Sequence, residues 1–187
     1  TKKRRKIEKS IKTLVFLFSL LFLYTIVLAE VKVPSEIKFN KEVYKQVYQA
    51  GNGKTSDKVT EYLKSGETLE KFEKMFSIWE YPNAKDVKIF TGNLIRNSNT
   101  SYKITPREIL ENDDNTETMA SLIITAGNVS EYNIYRVLKK DGHVVTYQFS
   151  YRIYDNPGTP AYKKWLESLD KNETEWFKAM ANMKDIK

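Results

Sequence analysis

Residues 131–154, "EYNIYRVLKKDGHVVTYQFSYRIY", decide the fold. Asp141-Gly142 stands between two runs of alternating apolar and polar residues, a strong short-range hairpin signal. With a two-residue turn Lys140 opposes His143, Ile134 opposes Phe149 and Tyr132 opposes Tyr151. Those residues, with Leu138, Val145, Tyr147 and Ile153, make one core-facing layer. On the other face Glu131 opposes Arg152 and Tyr135 opposes Gln148, and the opposite charges suit the register. A three-residue turn would shift every one of these pairs.

Outward from the hairpin, "MASLIITAG" (119–127) reads as a buried strand and "DNPGTP" (155–160) breaks the sheet. Residues 160–183 predict a C-terminal helix or helix pair, with Asn172 and Thr174 marking a kink or a second cap. Further upstream, "EVYKQVYQA" (42–50) and "KVTEYLKS" (58–65) read as strands joined by the turn "GNGKTSD". Thr68 caps a helical turn over 68–73, which runs into a strand at about 75–81. Pro82-Asn83 opens a helix whose Val87, Phe90, Leu94 and Ile95 form an apolar stripe. Residues 99–118 are polar and irregular, with one turn of helix after Pro106, and residues 30–42 are an extended lead-in. The fold class is therefore α+β: an antiparallel sheet with helices packed on it.

Charge is unevenly distributed. The chain of 187 residues has a formal charge of +7, and six of those excess charges precede Leu14. The high pI describes the N-terminus, and the usual argument from a basic domain to nucleic acid falls away. "KKRRK" followed by the apolar run 14–29, "LVFLFSLLFLYTIVLA", predicts an N-terminal signal or anchor helix. The run is 16 residues long, short of the roughly 20 a spanning helix needs. Residues 1–29 are thus a signal peptide or membrane anchor, and 30–187 an exported domain, periplasmic or secreted, cut near Ala29-Glu30 or tethered by 14–29. Cysteine is absent, which excludes lipidation at cysteine, thiol nucleophiles and thiolate-held metals. A cysteine-free exported chain leans bacterial. Three Asn-X-Ser/Thr sequons occur, at Asn99, Asn128 and Asn172, as an Asn-rich chain produces by chance.

The stretches "YLKSGETLEKFEKMFSIWEY" (62–81) and "EYNIYRVLKKDGHVVTYQFSYR" (131–152) resemble small exported bacterial proteins with a MOG1/PsbP-like sandwich. In those proteins a Gly-Glu-Thr-like turn leads to a short aromatic helix and a core strand. The resemblance covers roughly 62–183 and lies in layout and hydrophobic pattern. Phe72 stands where that pattern has Trp. What it implies is a fold, since the family shares no active site and fold alone does not give function.

The chemistry offered is sparse. His143 is the only histidine and sits just after a turn, where a solvated side chain is the plainer reading. No nucleophile elbow, zinc helix or phosphate loop occurs, and Gly51-Asn52-Gly53-Lys54-Thr55 lies inside a hairpin. "ENDDNTE" (111–117) reads as a solvated acidic loop; it lacks the glycine turn and closing glutamate of a calcium loop. No cofactor and no metal are expected. Tyr135, Arg152 and Tyr154, on the face opposite the main core, are the candidate binding residues, unless the C-terminal helix covers that face with Trp165 and Trp176. The expected function is a non-enzymatic envelope binding or interaction protein, its partner a protein or small molecule and the membrane met only through 1–29. The alternatives are a stress or immunity-type protein that blocks a macromolecule, and a carboxylate-based hydrolase.

Overall fold

The computed structural model describes residues 33–96 and 102–186. Eight described strands form one antiparallel sheet: β1 (Glu36–Phe39), β2 (Glu42–Ala50), β3 (Lys58–Leu63), β4 (Lys74–Tyr81), β5 (Lys103–Glu111), β6 (Glu117–Ala126), β7 (Val129–Lys140) and β8 (His143–Tyr154). Helix α1 (Val87–Ile95) lies between β4 and β5, and α2 (Pro160–Ala181) follows β8. The spatial order β1-β2-β3-β4-β8-β7-β6-β5 joins two four-stranded meanders through the β4–β8 pair. The class is α+β. The signal or anchor segment 1–29 lies outside the described residues, and no described helix is long and apolar enough to cross a membrane.

The central hairpin has the register its residues dictate. Lys140 pairs with His143, Ile134 with Phe149, Tyr132 with Tyr151, Glu131 with Arg152 and Tyr135 with Gln148. The turn works because Asp141 and Gly142 both take positive φ, 48° and 80°, which matches the right-handed twist of the strands. The β1–β2 turn uses the same geometry at Asn40 and Lys41, with φ of 44° and 68°. Lysine has no local advantage there, so the pairing of Phe39 with Glu42 holds it in place.

One sheet face carries the larger core. Tyr62, Phe76, Ile134, Tyr147 and Phe149 are wholly buried there beneath Trp165, Leu169, Trp176 and Phe177 of α2. Thr159 caps α2 by accepting the Tyr162 amide at 3.2 Å, and Pro160 fills the first turn where no donor is needed. Trp176 meets the rings of Phe149 and Tyr151 at 5.2 and 5.1 Å. Burying an indole of this size contributes on the order of 5 kcal/mol. Phe39 lies 4.7 Å from Phe149, although β1 and β8 stand four strands apart in the order. In a flat sheet that separation would be about 19 Å. The sheet therefore curls, with β1 folded back over the face that α2 fills. A bulge in β2 between Gln46 and Tyr48 supplies part of the bend.

The second face is covered in two places. Val87 of α1 packs on Leu122, Tyr135, Val137 and Val144, with Phe90 and Leu94 partly buried beside them. At the other end the 64–73 loop sets Phe72 on Leu63 and Met75.

Several local expectations are corrected. Residues 103–111 are edge strand β5, not an irregular segment with a helical turn. Pro106 and a bulge before Glu108 are tolerated because the outer edge needs no partner. Residues 68–73 form no helix: the Thr68 hydroxyl accepts the Lys71 amide at 3.3 Å, but the chain turns straight into β4. Helix α1 starts after Asp86, whose carboxylate accepts the Ile89 amide at 2.8 Å, rather than at Pro82. Helix α2 runs unbroken through Asn172, whose amide donates to Ser168 O at 2.7 Å. It covers the Ile134–Phe149 face, so α1, not α2, caps Tyr135.

Candidate functional site

The structure separates the three residues singled out from the sequence. Tyr135 is 9% exposed under α1, and burial pushes its hydroxyl pKa well above the ordinary tyrosine value. It is a packing residue in the smaller cluster. Arg152 and Tyr154 lie farther along the same face, where β8 meets the 64–73 loop.

There Arg152 closes a compact arrangement. Its Nε donates to Glu131 Oε2 at 2.6 Å, and its guanidinium carbon lies 4.0 Å from the ring centre of Phe72. The Tyr154 ring centre is 5.8 Å away. Tyr154 Oη accepts the Phe72 amide at 3.1 Å and donates to Glu70 O at 3.4 Å. The loop is thus fastened to β8 by one cation on an aromatic face and two backbone bonds. Burial alone would lower the guanidinium pKa; Glu131 and Tyr154 more than offset it. Nearby Glu61 is raised above the ordinary carboxylate value by burial and by Glu131, with Arg152 pulling the other way.

Between loop and strand lies a cavity of about 450 Å³, lined by Gly66, Glu67, Lys71, Phe72, Glu73, Arg152, Ile153 and Tyr154. Phe72 supplies apolar wall, and Ile153 lines the recess while its side chain packs against the larger core. Glu67 Oε1 accepts the Glu73 amide at 2.9 Å, while its buried Oε2 accepts no hydrogen bond. Glu67 and Phe72 were not picked out from sequence as site residues; the signal available was the "GETLEKFE" turn itself.

Beside the cavity a polar chain crosses the same face. Trp79 Nε1 donates to Gln148 Oε1 at 3.1 Å, and Gln148 Nε2 to Asn133 Oδ1 at 2.8 Å. Ser150 Oγ donates to Asn133 at 2.7 Å. The network gives an otherwise costly buried amide its partners.

Other candidates resolve into structure. His143 sits half-buried beside the turn, opposite Lys140. Asn52 Oδ1 accepts the amides of Lys54, Thr55 and Ser56, which makes "GNGKT" a turn built on its own side chain. In the acidic loop Asp114 accepts from Thr116 N at 3.0 Å and Glu117 pairs with Arg136 at 2.7 Å. Among the described residues no group of three or more His, Cys, Asp or Glu could hold a metal ion. Arg107 on β5 ties that edge to α2 through Asp170 and Glu173, at 2.8 and 2.6 Å, beside a polar cleft.

No curated protein matches the chain. A family model matches residues 31–184, which takes in nearly all of the described fold, and the chain belongs to that uncharacterised family.

Proposed function

We propose that the protein is a non-enzymatic binding protein of an exported compartment, with a MOG1/PsbP-like layout, and that it holds its ligand between the 64–73 loop and β8. The observation that carries this reading is the cavity of about 450 Å³. It gathers Arg152 and Tyr154 with Phe72 and Ile153 in one mostly apolar recess. A concave apolar site of a few hundred Å³ with a few convergent polar groups is the usual form of a small-molecule site. The Arg152–Glu131 pair and the Tyr154–Phe72 bond hold its walls, so little ordering cost falls on binding. Export is supported by "KKRRK" and the apolar run 14–29 in the sequence.

The reading is tested by nuclear magnetic resonance of the labelled full-length chain against a mixed library of small polar and apolar fragments. Saturable shifts centred on Gly66–Glu73 and Ile153 are expected. Shifts confined to the β5 edge, where Ile109 and Leu110 are exposed, would instead favour the blocking protein. Absence of any saturable shift refutes ligand binding at the cavity.

A further inference from the structure

We infer that the cavity takes a small zwitterion, an α-amino acid or short peptide with an apolar side chain; this deepens the binding reading above and rests on it. The argument is one of unmatched groups. Glu67 Oε2 is buried without a donor, and an ammonium group is the donor that best compensates a carboxylate oxygen. On the same lining lies Lys71, which is exposed. Arg152 gives Nε and one terminal nitrogen to Glu131 and the other terminal nitrogen to Tyr154 Oη at 3.5 Å, which leaves one N–H on each terminal nitrogen for a further acceptor. The recess thus offers an unfilled acceptor and open donors, and Phe72, Ile153 and Tyr154 line it with them.

The charges of the lining narrow the class. The lining carries two carboxylates, Glu67 and Glu73, and two cations, Lys71 and Arg152, the latter paired with Glu131. A simple amine meets repulsion from Lys71, and a simple carboxylate meets repulsion from the acids. A neutral apolar molecule leaves Glu67 Oε2 without a donor. A zwitterion answers both: its ammonium goes to Glu67 and its carboxylate to Lys71 and Arg152. Its side chain rests on the aromatic wall.

The probes are L-phenylalanine, N-acetyl-L-phenylalanine, L-phenylalanine amide and the dipeptide Ala-Phe, titrated into the full-length chain and read from the amide signals of Gly66 and Phe72. L-Phenylalanine is expected to bind saturably, and each blocked derivative about tenfold or more weaker, the loss of one charge-assisted hydrogen bond. Ala-Phe binding more tightly than L-phenylalanine assigns the source as peptide, and weaker binding assigns free amino acid. Glu67→Gln is expected to weaken L-phenylalanine about tenfold while keeping the bond from the Glu73 amide through its side-chain oxygen. If that variant does not fold, the exposed Lys71→Met serves the same purpose. Equal affinity of the N-acetyl derivative, or unchanged affinity in both variants, overturns the inference. If only uncharged fragments bind, the zwitterion is refuted and the cavity remains a binding site. If nothing binds, both readings fall.

Discussion

Replacing Arg152 by alanine distinguishes a fastening residue from an idle surface cation. The Arg152 and Glu131 side chains are 24% and 12% exposed, and the pair closes at 2.5 Å. Removing one partner of a buried pair costs roughly 3–5 kcal/mol, because the other charge is left uncompensated. Partial exposure lowers that to about 2 kcal/mol, and loss of the Phe72 contact adds about 1 kcal/mol. The expected cost is therefore about 3 kcal/mol at pH 7. With a urea slope near 2 kcal/mol/M, the unfolding midpoint should fall by about 1.5 M. The double variant Arg152→Met with Glu131→Gln keeps the apolar stem and removes the stranded charge. It should lose only about 1 kcal/mol, about 2 kcal/mol less than Arg152→Ala. A midpoint shift under about 0.3 M, or a double variant no better than Arg152→Ala, would refute the clamp.

Three further outcomes follow from the geometry. Tyr135→Ala should cost about 3–5 kcal/mol by urea unfolding, because its ring is packed under α1; a loss below 1 kcal/mol would return it to the surface. Glu42 is pushed up by burial, but bonds from Tyr44 and Lys74 and the charge of Lys64 leave its pKa below the ordinary 4.5. Its contribution should be present above pH 4.5 and lost as pH falls through the lower folded value, so the stability gap between wild type and Glu42→Gln should narrow in acid; a gap independent of pH refutes it. Arg107→Ala should cost about 1 kcal/mol, since Asp170 is largely exposed, while speeding amide exchange along β5; unchanged exchange would mean the edge is held by its ladder alone.

Legibility in the sequence tracked how local the cause was. The β7–β8 register was readable because Asp141-Gly142 fixes the turn and a period of two fixes the faces. Strand β5 was not, because an edge strand has no buried face to impose alternation: Lys103, Arg107, Glu108 and Glu111 remain polar, and Pro106 looks like a breaker. The helical turn at 68–73 failed for a related reason. Thr68 can cap a helix or close a tight turn, and Phe72 prefers the turn because its ring then reaches Leu63 and Arg152.

Arg152 and Tyr154 were selected from a pattern of alternation, and the same pattern selected Tyr135 with equal weight. Their separation depended on α1, whose nine residues reach Tyr135 but not the β8 end of the face. Glu67 was invisible because its interest lies in an oxygen without a donor, a property of surroundings and not of residue type.

By itself the sequence determined the α+β class, the hairpin register, the apolar stripes of both helices and the concentration of charge at the N-terminus. These follow from chain geometry over a few residues. Tertiary structure alone decided which helix covers which face, the curl that brings Phe39 to Phe149, and the cavity beside Arg152. Those depend on contacts between elements far apart in the chain, and local periodicity carries no information about which of two apolar faces will meet.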